Sequence, residues 1–161
     1  MQVTLRFLYL LSIVFWIGTI FFFSSSVAPS VFKILPKQMA GEVISSIFPK
    51  YYLVAYICGG IALITSILSW LIGSHLSGIS YLLRVIILVI MIGLSIFAGA
   101  VIRPQALEVR AQMRSLVEDS PQYTEVQARF NKLHKQSVIM NSVVLLLGFA
   151  IVFITAYNYR E

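Results

Sequence analysis

Charged residues are scarce in this chain of 161 residues. Lys, Arg, Asp and Glu together make up 11% of it, whereas hydrophobic residues make up 59% and the mean hydropathy is +0.91. An ordinary soluble domain has about 25% charged residues. The composition therefore excludes that class and predicts an integral membrane protein.

Cysteine and the residues of catalytic motifs are scarce as well. The single cysteine, Cys58, excludes a disulfide within the chain and is predicted to be a small buried residue. Gly-x-Ser-x-Gly, a phosphate-binding glycine loop and His-Glu-x-x-His are all missing. The sequence therefore indicates no catalytic residue and requires no cofactor. These features favour a protein that is not an enzyme.

What fills the chain instead is a set of long windows without charge. Each reaches the roughly 18–20 residues that a helix needs to cross about 30 Å of hydrocarbon. They are Phe7–Phe32, Tyr51–Leu83, Val85–Ile102 and Gln136–Tyr159. The second window ends in the turn-rich run 73–80, which separates two spans. The predicted fold is an all-α, antiparallel four-helix transmembrane bundle.

Prolines and one capping signal predict the boundaries inside this single membrane domain, 1–161. The expected spans are 5–28, 50–72, 81–102 and 138–157, with an interfacial helix at 37–48. Pro29 is expected to kink the chain and Pro49 to separate the interfacial helix from the second span. Ser120 followed by Pro121 predicts an N-cap, so that 103–137 forms a helical hairpin extending helices 3 and 4.

Lysine and arginine are divided unevenly between the two sides of this bundle. The segments 29–50 and 103–135 hold nine of them, and the opposite side holds Arg6, Arg84 and Arg160. The positive-inside rule predicts cytoplasmic loops at 29–50 and 103–137 and both termini outside, in a plasma membrane or bacterial inner membrane. Arg84 is expected to extend to the headgroups. The uneven distribution across the membrane and attraction to anionic lipid together explain the net charge of +6, so no nucleic-acid partner is expected.

Polar residues follow one face of the last helix into its apolar half. At about 100° per residue, His134, Ser137 and Asn141 fall in one arc. Polar groups at this depth face the bundle or a wet cavity rather than lipid. The predicted polar cavity consists of Trp16, Thr19, Ser26, Glu108, His134, Ser137 and Asn141. The alternative is interhelical hydrogen bonding that fixes packing. Separately, Gly18 and Gly99 are expected to allow close helix approach.

Several short motifs occur in order along the chain: Trp16-x-Gly18, Ala28-Pro29-x-x-Phe32, Ala40-Gly41, Ile47-Phe48-Pro49-x-Tyr51 and Phe130-x-x-Leu133-His134-x-x-Ser137-x-x-x-Asn141. In order and spacing they resemble the small four-helix membrane proteins typified by eukaryotic transmembrane protein 205, with bacterial relatives filed as a domain of unknown function. The resemblance covers nearly the whole chain and implies the fold without a mechanism. The eukaryotic relatives are associated with resistance to platinum drugs, and more distantly similar four-helix families handle copper or haem.

A metal or haem role has few ligands to draw on. His75 and His134 are predicted on opposite faces of the membrane, so they cannot share a haem iron within one chain. Cys58 and the five methionines form no Met-x-x-Met or Cys-x-x-Cys motif. His134 is therefore the candidate metal ligand.

These observations favour a small transporter-like or ligand-binding membrane protein with a polar cavity open to the cytoplasm. It is expected to be a homo-oligomer and to take a small molecule or metal ion. The alternative is a membrane scaffold whose cytoplasmic hairpin docks a partner. A copper- or haem-handling protein is the third interpretation.

Overall fold

The computed structural model describes residues 1–72, 78–118 and 120–158, and these contain helices and no strand. Six α-helices follow one another: α1 (Gln2–Phe22), α2 (Ala28–Ile34), α3 (Lys37–Leu71), α4 (Ile79–Phe97), α5 (Arg103–Arg114) and α6 (Pro121–Asn158). His75, with most of the predicted turn around it, lies outside the described residues. The all-helical prediction is confirmed for the described part of the chain.

Four helical stretches are long and apolar enough to cross a membrane. They are Gln2–Ile34, Lys37–Leu71, Ile79–Arg114 and Pro121–Tyr157. The most apolar window of each has a mean hydropathy between 1.9 and 3.0. These helices agree in number with the four predicted spans and fit an integral membrane protein.

The third helix is longer than predicted, because α3 continues through Pro49. A break was expected there, since proline removes a backbone hydrogen bond and crowds the preceding turn. In the structure the segment before Pro49 packs against α5. Arg110 donates from Nη1 to Ser45 Oγ at 2.8 Å and from Nη2 to the Gln38 carbonyl at 2.9 Å. These contacts hold the segment in place, so tertiary packing outweighs the local preference for a break.

Two π-helical turns, Phe23–Val27 and Ala98–Ile102, join α1 to α2 and α4 to α5. Each ends two residues before a proline, Pro29 or Pro104. In a regular α-helix the proline ring clashes with the carbonyl four residues earlier, and here that carbonyl lies in the wider turn. Both helical stretches therefore continue past their predicted ends at residues 28 and 102. At Pro29, where a kink was expected, the helix continues directly from this wider turn.

The start of α6 follows the predicted capping pattern. Ser120 Oγ accepts a hydrogen bond from the backbone N–H of Tyr123 at 3.1 Å, and Pro121 is the first residue of the helix. The hydroxyl satisfies one of the N–H groups that a helix start leaves without an intrahelical partner. Helices α5 and α6 then pack against each other.

Helices α1, α3, α4 and α6 surround one apolar core. α1 and α4 each pack against both α3 and α6. The largest fully buried side chains are Trp16, Ile13, Leu88, Met91, Ile151 and Val144. Other large apolar side chains, among them Phe15, Phe22 and Phe153, point outwards and are more than half exposed. An outer surface of this kind suits helices surrounded by hydrocarbon.

Two glycines with the same predicted role differ in the structure. At Gly99 an added methyl group would collide with Tyr52 and Tyr56 of α3, which confirms the close helix approach there. Gly18 has open space around it. It shares the outward face of α1 with exposed Phe22, one turn further on. The predicted close approach at Gly18 is therefore wrong.

Candidate functional site

The polar stripe of α6 contributes one hydrogen bond to the interior of the bundle. Asn141 Oδ1 accepts it from the Tyr51 hydroxyl of α3 at 3.1 Å. Ser137, one turn earlier on α6, is half-buried. At Asn141 the stripe therefore provides the interhelical contact that the packing interpretation predicts.

His134 lies outside the core. Its exposed imidazole stacks on the ring of Phe130, one turn earlier, with centroids 6.3 Å apart and planes inclined by 9°. Across 1–72, 78–118 and 120–158, no three or more His, Cys, Asp or Glu side chains are grouped so that they could hold a metal ion. Metal binding by His134 therefore stays a prediction that rests on this side chain alone.

The three predicted cavity residues of the first helical stretch have different surroundings. Trp16 is 1% exposed, and its Nε1 finds no hydrogen-bond acceptor within the described part of the chain. Thr19 Oγ1 donates to the Phe15 carbonyl at 2.8 Å, and Ser26 Oγ lies 3.4 Å from Ser25 Oγ. These hydroxyl contacts stay within their own helical stretch. The seven predicted cavity residues therefore belong to several local environments.

An aromatic cluster forms where α3 meets the first π-helical turn. Its members are Phe23, Phe48, Tyr51, Tyr52 and Tyr56, and neighbouring ring centroids are 5.2–6.3 Å apart. Tyr51 and Tyr52, at the start of the predicted second span, are 5% and 4% exposed. Phe23 packs against the ring of Tyr51, and the missing side chain of Gly99 leaves room for the ring of Tyr52. Each such ring pair contributes about 0.5–1.5 kcal/mol beyond its buried area.

A polar groove of about 380 Å³ lies between α5 and α6. Its walls are formed by Gln105, Glu108, Val109, Gln112, Arg129, Lys132, Leu133 and Gln136. Small-molecule sites commonly measure about 300–1,000 Å³. Glu108 is the predicted cavity residue that lines this groove, whereas His134 follows directly after the lining residue Leu133.

The groove carries one carboxylate, Glu108, and two cations, Arg129 and Lys132. Within the described chain the ion pair that forms joins Arg114 to Glu42 at 2.7 Å, so the three groove charges make none there. Three glutamine amides add hydrogen-bond donors and acceptors. The groove therefore offers a net positive charge and a mixed set of polar groups to a solute.

Arg110 fixes the α5 wall of this groove against α3. Besides its two hydrogen bonds to α3, its guanidinium lies against Gly41, where an added methyl group would collide with it. Burial lowers the pKa of Arg110, the charge of Arg114 lowers it further, and Glu42 opposes both effects. A guanidinium nevertheless stays protonated in proteins. The contact is therefore independent of pH in the physiological range.

Buried polar side chains also gather at the opposite end of the bundle. They are Tyr9, Ser69, Arg84 and Thr155, one from each of the four long helices, and they are 4–8% exposed. Arg84, which was expected to extend to the headgroups, is buried among the helices, and its Nε donates to the Ser80 carbonyl, one turn nearer the helix start, at 3.3 Å. One feature of the sequence could have indicated a buried arginine. Arg84 lies in the stretch 51–102, which has no other Lys, Arg, Asp or Glu.

A family model described as "Domain of unknown function (DUF4149)" matches residues 11–115, more than half of the chain. The chain belongs to the DUF4149 family. The matched segment includes the core residue Trp16, the contact of Arg110 with α3 and the α5 wall of the groove. It ends before the α6 wall. Membership in DUF4149 is consistent with the expected bacterial domain of unknown function, and the narrower resemblance to transmembrane protein 205 stays a prediction.

An uncharacterized protein of Aquifex aeolicus (strain VF5) is 45% identical to this DUF4149 chain over 49 residues. The matched segment covers 30% of this chain and 37% of the relative, so the chain spans little more than a third of that protein. No solved structure matches. The family and this relative carry no activity in their descriptions, and the function is argued from the site.

Proposed function

We propose that this chain is an antiparallel four-helix membrane protein whose groove between α5 and α6 faces the cytoplasm and binds a small solute with an anionic group. The observation that carries this proposal is the pair of cations, Arg129 and Lys132, in a groove of small-molecule size. Neither of these two cations forms an ion pair within the described residues.

The contacts of α3 with α4 support the antiparallel arrangement. Gly99 of the turn after α4 lies against Tyr52, and Ile92 of α4 lies against Gly59. Residue numbers therefore rise along α3 as they fall along α4. The excess of lysine and arginine in 29–50 and 103–135 supports placing the groove in the cytoplasm.

The charges of the groove define the class of solute. An arginine fork binds a carboxylate or phosphate through two parallel hydrogen bonds, and a lysine adds a point charge. Glu108 on the facing wall suits an ammonium group of the same solute. A small molecule carrying carboxylate and ammonium groups therefore matches the groove better than a simple anion does.

The packed bundle supports binding rather than an open pathway. Leu88, Met91 and Ile151 are each 0% exposed in the core between the four long helices. A polar solute entering this core would meet side chains that offer it no hydrogen bonds. The proposed activity is therefore ligand binding at the cytoplasmic face.

Titration with two closely related probes tests the proposal. Glutamate and glutarate differ by the ammonium group that Glu108 would pair with. Calorimetry on the purified full chain should show saturable binding of both. Arg129→Gln or Lys132→Gln should weaken both by about tenfold or more, since each removes a charge-assisted hydrogen bond. Glu108→Gln should weaken glutamate more than glutarate.

Lys135→Gln is the matched control, because Lys135 is exposed on α6 and does not line the groove. It should leave both titrations unchanged. Failure of both probes to bind, or equal weakening by Lys135→Gln, would overturn the binding proposal. In that event the scaffold interpretation, in which the α5–α6 hairpin docks a partner, would be the better account.

A further inference from the structure

We propose that Arg84 and Tyr9 form a binding site for a phosphate group at the end of the bundle opposite the groove. Arg84 is 7% exposed, and its Nη2 is buried with no hydrogen-bond partner within the described part of the chain. The Tyr9 hydroxyl is also buried and without such a partner. Two unused donors thus belong to side chains on two different helices, α4 and α1.

The charge of Arg84 acts on the Tyr9 phenol, and the Thr155 side chain lies near enough to Tyr9 for a weak hydrogen bond. The contact with Thr155 falls short of ordinary hydrogen-bond geometry, because the Tyr9 hydroxyl has no hydrogen-bond partner within the described residues. The Thr155 hydroxyl donates to the Ile151 carbonyl at 2.7 Å, and the Tyr81 hydroxyl donates to the Ser66 carbonyl at 3.3 Å. Arg84 Nη2 and the Tyr9 hydroxyl are therefore both available to an added acceptor.

Carboxylates that could neutralise Arg84 are missing from the helical segments that hold Tyr9, Ser69 and Arg84. The chain has six acidic residues, and five of them lie between positions 42 and 125, in or beside the α5–α6 hairpin and the start of α3. The sixth, Glu161, lies outside the described residues. Segments 1–34 and 51–102, which include Tyr9, Ser69 and Arg84, contain none. A buried arginine without a counter-charge is costly, and such residues in membrane proteins mark binding sites or ion paths.

The chemistry of the donors favours an oxyanion. A guanidinium and a phenol hydroxyl both donate hydrogen bonds, and the guanidinium matches the geometry of phosphate. Arg84 is the sixth residue of α4, so it lies only about 8 Å along the axis from the helix start at 1.5 Å per residue. That depth suits a phosphate near the membrane surface, whether from a phospholipid headgroup or from a free phosphate ion.

Two measurements on the full chain distinguish these sources. In the first, the melting temperature in detergent is compared in inorganic phosphate and in chloride of equal ionic strength, using the Arg129→Gln/Lys132→Gln background so that the groove does not contribute. In the second, phosphatidylglycerol retained by the protein after release from nanodiscs is counted by native mass spectrometry. A gain in the first indicates free phosphate, and retention in the second alone indicates a lipid.

Arg84→Gln should abolish the rise in melting temperature or the lipid retention, whichever the parent protein shows. Tyr9→Phe, which keeps the ring, should reduce the same effect severalfold. Tyr157→Phe is the matched control for the phenol, because Tyr157 is exposed near the same end. Arg84→Lys serves if Arg84→Gln fails to fold, and it should bind severalfold more weakly since it loses the two-pronged contact.

The proposal is overturned if neither measurement responds in the parent protein, or if Tyr157→Phe matches Tyr9→Phe. It is also overturned if a chain truncated after residue 159 gains phosphate binding that the full chain lacks, because the chain's own carboxylate would then be the occupant. Loss of glutamate binding by Arg129→Gln tests the groove separately, so the two sites can fail independently.

Discussion

Gly59 and Gly60 are consecutive residues of α3 with opposite surroundings, and replacing each by alanine isolates the effect of close helix packing. A Cβ at Gly59 would lie 2.9 Å from Ile92 Cγ1 and 3.2 and 3.3 Å from two ring carbons of Trp16. A Cβ at Gly60 would have nothing within 4 Å. The Gly59 methyl group would therefore press on two neighbouring helices at once.

The expected size of the effect follows from these distances. Carbon atoms attract best at about 3.5–4.0 Å, so a contact at 2.9 Å is repulsive. Overpacking of this kind costs about 1–3 kcal/mol. The gain of about 0.5–1 kcal/mol from replacing glycine inside a helix applies to both positions and cancels in their difference. Gly59→Ala should therefore be about 1–3 kcal/mol less stable than Gly60→Ala.

Reversible unfolding in mixed detergent micelles, followed by far-ultraviolet circular dichroism, gives this difference directly. The double variant Gly59→Ala/Ile92→Ala should lose less stability than the sum of its single changes, because the second change makes room for the new methyl group. Equal stability of Gly59→Ala and Gly60→Ala, or strict additivity in the double variant, would refute the placement of Trp16 and Ile92 around Gly59.

The other predictions concern orientation and the α6 stripe. A cysteine at Glu118 should resist an impermeant thiol reagent in intact cells and react after permeabilisation; labelling of intact cells would reverse the proposed orientation. Tyr51→Phe and Asn141→Leu should each lower the free energy of unfolding by roughly 0.6–2 kcal/mol, and because they share one hydrogen bond the double variant should cost less than their sum. His134→Gln should leave the melting temperature unchanged, because His134 is exposed. Loss of metal binding at pH 7.5 in this variant would support His134 as the predicted ligand. A lower melting temperature would contradict its exposed position.

Some features of the candidate sites could be predicted because they depend on local chemistry. Ser120 with Pro121 marks a helix start through backbone groups within one turn. Glu108, which was predicted as a cavity residue, lines the groove between α5 and α6. The lining role of Arg129 and Lys132 could not be predicted. Their charges also fit a solvated helix face, and only the packing of α5 on α6 decides that they share a groove.

The sequence by itself determined the all-helical class and the number of long apolar helices. Each of these depends on composition or on residues close together in the chain, so no knowledge of neighbouring helices is needed. The continuation of α3 through Pro49, the packing of Tyr51 against Asn141 and the burial of Arg84 were decided only by the tertiary structure. The residues on one face of a helix do not specify which element will pack against that face. Whether a polar side chain meets lipid, water or another helix therefore depends on partners far away in the sequence.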